Sequence, residues 1–79
     1  MLEAALEHLV RGIVEHPDDV RVDLVTSRRG KRLEVRVNPE DLGKVIGRNG
    51  RTAKALRTVV AALGGRGVRV DVVDTDEVR

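Results

Sequence analysis

No Phe, Tyr, Trp or Cys occurs in this chain of 79 residues, so any core it forms must be assembled from Val, Leu, Ile and Ala. A chain this short buries only about 60% of the surface its unfolded form exposes. The expectation is a single small domain over residues 1–79 that is marginal as a monomer, for which a partner chain or self-association would supply further burial. The lack of Cys excludes a disulfide framework, a thiolate zinc site and a Cys nucleophile, and it is compatible with a reducing compartment. No apolar run approaches the roughly 20 residues of a membrane span, and the acidic, amphipathic N-terminus lacks the basic start of a signal peptide. A soluble cytoplasmic chain with no membrane insertion is expected.

Hydrophobic periodicity then divides the chain. Leu2, Ala5, Leu6, Leu9, Val10 and Ile13 recur at helical spacing, with Glu3, Glu7 and Arg11 on the other side. Pro17 stops that helix, and Val20, Val22 and Leu24 alternate with Arg21 and Asp23 as a strand. Ser27-Arg28-Arg29-Gly30 supplies a turn, after which Leu33, Val35 and Val37 alternate with outward Arg32, Glu34 and Arg36 to complete a hairpin. Asn38-Pro39-Glu40-Asp41 reads as a helix start, with an Asn cap, Pro in the first turn and two acids at the positive end of the dipole. Leu42, Val45 and Ile46 give this helix its apolar side, but Gly47 and Gly50 interrupt it within about two turns. Ala53, Leu56, Val59, Val60 and Leu63 restore the helical period until Gly64-Gly65, and Val68, Val70 and Val72 alternate as a third strand. Residues 74–79 read as a flexible acidic tail. The order α-β-β-α-α-β predicts an α+β fold, one three-stranded sheet with three helices packed on its apolar face.

The net charge of +2 hides an uneven distribution. Residues 1–27 carry two Arg against six acids, residues 28–57 carry ten Lys or Arg against three, and residues 58–79 carry three against four. A strongly basic middle third between acidic flanks is the footprint of a surface that attracts polyanions, nucleic acid first among them.

The chemistry concentrates in Gly43-Lys44-Val45-Ile46-Gly47-Arg48-Asn49-Gly50-Arg51-Thr52-Ala53-Lys54. Two helices meet here across four residues whose ends are both Gly, so the backbone can turn tightly and another chain can approach without a Cβ in the way. The second helix is expected to begin at about Gly50, with its free N–H groups facing the turn, where a phosphate fits. Lys44, Arg48, Arg51 and Lys54 surround the turn with positive charge, and no acid lies between residues 43 and 57.

Val45-Ile46-Gly47-Arg48-Asn49-Gly50 resembles the V-I-G-x-x-G motif of KH domains, and the element order is similar to the type II, bacterial arrangement. The likeness covers about Leu2 to Val73, which makes the chain similar to the small stand-alone bacterial KH proteins of the KhpA type. That resemblance implies a non-catalytic protein needing no cofactor, in which the loop 47–50 grips the backbone of about four nucleotides of single-stranded RNA. Carried over position by position, Gly47, Arg48, Asn49 and Gly50 would contact phosphates, Val45 and Ile46 would line the groove under the bases, and Arg51 and Lys54 would add backbone contacts, with Lys44 an RNA-binding residue by its charge beside the turn. The resemblance also implies an RNA-chaperone or post-transcriptional role, a homodimer, a heterodimer with a KhpB/Jag-type RNA-binding protein, and a link to cell-envelope and cell-shape control. The alternative is a dimerisation or interaction module whose partner supplies most of the RNA binding.

Other readings fail on residues. A P-loop starting at Gly43 would need Gly where Arg48 stands, and a dinucleotide fingerprint would need Gly where Val45 stands. His8 and His16 are eight apart, too far for an i, i+4 metal pair. Asp74, Asp76 and Glu77 lack the turn Gly and further ligands of a cation loop. Ser27 is the only Ser, with no recognisable base arrangement beside it. Arg28, Arg29, Lys31 and Arg32 either extend a basic surface or protect a hairpin edge.

Overall fold

The computed structural model describes residues 2–65 and 67–75. Helix α1 spans Leu2–Arg11, strand β1 Arg21–Ser27, β2 Gly30–Val37, helix α2 Leu42–Ile46, α3 Arg51–Ala62 and β3 Arg69–Asp74. This is the α+β order expected from the sequence. The sheet is mixed: β1 and β2 form an antiparallel hairpin, and β3 lies parallel to β2 on its other side, so β1 and β3 are the edges.

All three helices pack on the face that bears Leu33, Val35 and Val37. Leu6 and Val10 of α1, Val45 of α2 and Leu56 and Val60 of α3 close over those residues together with Val20 and Val70. With about 1.5 to 3 kcal/mol for each fully buried aliphatic side chain, this cluster is the main favourable term available to a chain without Phe, Tyr or Trp.

The details depart from the simple alternation in four places. Helix α1 ends at Arg11, two residues before Ile13. The chain coils past Gly12, with the Ile13 and Val14 N–H groups both donating to Val10 O, and it is Val14 that packs on the core while Ile13 stays 37% exposed. In β1, Leu24 lies on the core-bearing face opposite Leu33 but is 42% exposed, because β1 is the edge strand and its outer side is left uncovered. Glu34, expected outward, is buried on the open face of the sheet between Arg32 and Arg36, at 3.3 and 2.9 Å. The expected tail starts later than residue 74: Asp74 completes β3, and the Thr75 N–H donates to Val37 O at 2.9 Å. Residues 76–79, the remainder of that expected tail, lie outside the described residues.

One buried carboxylate ties these parts together. Asp41 does more than meet a helix dipole: its Oδ1 accepts the Glu15 N–H at 3.1 Å and its Oδ2 accepts the His16 N–H at 2.9 Å. The chain between α1 and β1 is thereby fastened to the start of α2, and the His16 ring adds a contact to Glu40 at 2.9 Å. Two backbone donors would be left without their acceptor in Asp41→Ala. That variant should lose about 2 kcal/mol of stability, read as a lower midpoint in urea unfolding, and an unchanged midpoint would show that water replaces the carboxylate without cost.

Candidate nucleic-acid interface

A parallel strand pair needs a crossover connection, and here it is α2, a tight turn and α3. The Asn38 side chain starts it by accepting the Glu40 N–H at 2.8 Å. After five helical residues the Gly47 N–H donates to Gly43 O at 2.8 Å, and the chain leaves the helix at Gly47 with φ 78° and ψ 168°. That conformation belongs essentially to glycine. A Cβ added at Gly47 would lie 2.4 Å from Thr52 Oγ1 and 2.7 Å from Thr52 N. The first residue of the loop is therefore pressed against the first turn of the following helix.

Asn49 (φ 57°, ψ 26°) and Gly50 (φ 73°, ψ 16°) then occupy the left-handed region in succession. The Gly50 N–H donates to Gly47 O at 3.1 Å and the Arg51 N–H donates to Arg48 O. The result is a closed single turn with Arg48 and Asn49 exposed at its surface. Helix α3 begins at Arg51, one residue later than the spacing suggested, and no side chain caps its N-terminus.

Because α3 runs back against β3, an open groove of about 480 Å³ forms between them. Ile46, Gly50, Ala53 and Arg57 line its helical side; Arg32, Glu34, Asp71, Val72 and Val73 line the sheet side. The Arg57 Nη2 lies 3.5 Å from Val70 O, so that carbonyl on the unpaired edge of β3 faces the helical wall.

The residues expected to act here are not all brought together. Ile46 and Gly50 line the groove, and Gly47, Arg48 and Asn49 form the turn at its end. Val45 does not line it: its side chain is completely buried in the core, since successive residues of a helix point about 100° apart and Ile46 takes the outward position. Lys44 lies two positions from Ile46 on the far side of α2 and is ion-paired with Glu15. The hydrogen bond to Glu15 holds the Lys44 ammonium protonated above the ordinary lysine range. Arg51 and Lys54 are exposed along the outer surface of α3, beside Ala55, Thr58 and Val59.

Of the groove residues, only Ile46 and Gly50 were expected from sequence as site residues; Arg57, Asp71 and Glu34 are the charged ones added by the sheet and the far end of α3. Arg57 follows Gly50 and Ala53 at i+7 and i+4, the helical spacing of one line along α3, and that spacing was a usable signal. No comparable signal marks Asp71, because its position depends on β3 being the edge. Arg32 reaches towards Asp71 at 3.9 Å as well as Glu34, so the sheet wall pairs cations with carboxylates, while on the helical rim Arg48, Arg51 and Lys54 have no ion-pair partner among the described residues. Among the described residues, the positive charge without a carboxylate beside it therefore lies at the turn and along the α3 rim, not on the sheet wall of the groove.

The two glycines of the turn are under different constraints. Gly47→Ala meets backbone and Cβ atoms of Thr52 and should cost about 3 kcal/mol or more, whereas Gly50→Asn has open space and a left-handed conformation that Asn tolerates, at about 1 kcal/mol. Urea unfolding of the two variants measures the difference, and equal costs would contradict a tight approach at Gly47.

Comparison with known proteins identifies relatives over most of the chain. The family model "KhpA/KhpB, KH domain" matches residues 3–74. Among curated proteins, "RNA-binding protein KhpA" of Mycobacterium tuberculosis is 77% identical over 73 residues, 92% of this chain and 91% of that protein. The protein of the same name from Streptomyces coelicolor is 75% identical over 79 residues and covers both chains fully. That of Halalkalibacterium halodurans is 46% identical, over 92% of this chain and 100% of its own. No solved structure matches the chain significantly.

Proposed function

We propose for this chain, which belongs to the KhpA/KhpB family of KH domains, a non-catalytic role in binding single-stranded RNA through the turn Gly47–Gly50 and the groove beside it. The observation that carries this reading is the closed left-handed turn, with Arg48 and Asn49 exposed, standing at the mouth of a groove whose helical rim is cationic. The names of the relatives support the same ligand class. With no aromatic side chain, base stacking worth roughly 1 to 3 kcal/mol per base is missing. Binding by one copy is therefore modest, tolerant of sequence and sensitive to salt.

In the cell this reading makes the protein a cytoplasmic RNA chaperone or post-transcriptional regulator. It works as a homodimer or with a KhpB/Jag-type partner in a pathway that affects the envelope and cell shape. Among the described residues no helix is long and apolar enough to cross a membrane. A second reading, an interaction module whose partner holds most of the RNA, is favoured by the outer surface of α1 and α3. There Leu9, Ile13, Val59 and Leu63 are between 37% and 55% exposed, and Leu9, Ile13 and Val59 line one open, mostly apolar groove of the kind that suits a partner.

Charge reversal at the turn separates the readings. Arg48→Asp with Asn49→Asp, its fold checked by circular dichroism, should weaken binding of labelled single-stranded RNA about tenfold or more at low salt, measured by fluorescence anisotropy. Equal affinity of the folded variant and the parent would move RNA binding away from the turn and favour the interaction reading.

A further inference from the structure

The ion pairs of this protein leave its cations unevenly matched. Arg11, Arg32, Arg36 and Lys44 each meet a carboxylate. Among the described residues, Arg48, Arg51 and Lys54 at the turn have no such partner, and neither do Arg28, Arg29, Lys31 and Arg69 at the opposite end of the groove.

The strand register shows how those two groups are connected. β3 joins the sheet at Arg69, opposite Arg32. β1 and β2 run on beyond that point as a two-stranded ribbon, in which Thr26 pairs with Lys31 and Ser27 with Gly30, and Arg28 and Arg29 form its turn. At about 3.3 Å per residue, the turn stands on the order of 10 Å past Arg32. The groove leads towards it: from Gly50 past Ala53 to Arg57, whose guanidinium reaches the carbonyl of Val70, the residue after Arg69.

We propose that this ribbon is a second phosphate-contacting surface, on which Arg28, Arg29 and Lys31 hold the RNA strand after it leaves the groove. The inference rests on the groove being the RNA site. The competing account is protection of a sheet edge, for which charges are placed along the edge strand. Along β1, however, the edge carries Arg21, Asp23 and Thr26, of mixed charge, whereas Arg28, Arg29 and Lys31, which meet no carboxylate among the described residues, are gathered at the tip. Clustering beyond the sheet, without counter-charges, suits a polyanion better than it suits an edge. No sequence preference is expected from such contacts, because phosphates position a strand and bases specify it.

The test is a length series. Labelled single-stranded RNAs of about four nucleotides and about eight are titrated against the protein and against Arg28→Gln/Arg29→Gln/Lys31→Gln at several salt concentrations. The parent should bind the longer RNA about tenfold more tightly than the shorter one. The triple variant should lose that gain, keep its affinity for the short RNA, and show a salt slope for the long RNA smaller by about 2, at roughly 0.7 for each phosphate that is no longer neutralised. A length gain that survives in the triple variant overturns the proposal and leaves the ribbon's charges to edge protection. Equal loss for both lengths also overturns it, since the effect would then be a general field. Failure of the parent to bind either RNA would instead overturn the groove reading, and this proposal with it.

Discussion

The close approach of Gly47 to Thr52 is the constraint on which the site depends. A helix of five residues must stop, reverse and hand over to a second helix within four residues, and it does so by pressing the backbone at Gly47 against the first turn of α3. With no Cβ in the way, α2 and α3 stay close enough for Val45 to reach the core while Ile46 faces the groove. A side chain at Gly47 would separate the helices and move Arg48 and Asn49 with them. The turn is thus a packing feature before it is a ligand feature, and the exposed pair at its tip is held by contacts made at its base.

The same economy governs the rest of the fold. An aliphatic core of this size leaves a small stability margin, and the chain supplements it with polar ties between distant segments. Asp41 fastens the α1–β1 connection to α2, and Lys44 pairs with Glu15 in the same region. Arg32 and Arg36 cover Glu34 in the middle of the sheet. These pairings also divide the charge: Arg11, Arg32, Arg36 and Lys44 meet carboxylates, while among the described residues the cations of the turn and of the hairpin tip do not.

Much of this was legible in the sequence because the relevant signals were local. The two periodicities placed every helix and strand, the Asn38-Pro39 start set the beginning of the crossover, and the V-I-G-x-x-G run located the turn. What remained hidden depends on tertiary position. Alternation made Leu24 a core residue, but edge placement of β1 left it exposed. Adjacency of Val45 and Ile46 suggested a common role, yet helical geometry sends them to opposite environments. Glu34 read as outward and Asp41 only as an acid at a helix start, because burial of a carboxylate is decided by partners far along the chain. Arg57 and Asp71 enter the groove only because β3 is an edge strand beside α3, a fact of sheet order that periodicity does not carry.

The central claim is that RNA lies between the turn and the edge of β3. Amide chemical-shift mapping during titration with a short single-stranded RNA tests it most directly. Shifts are expected at Gly47, Arg48, Asn49 and Gly50, at Ala53 and Arg57, and at Val72 and Val73, with Leu9, Ile13 and Leu63 unmoved. Shifts confined to the exposed aliphatic surface of α1 and α3, with the turn silent, would contradict it.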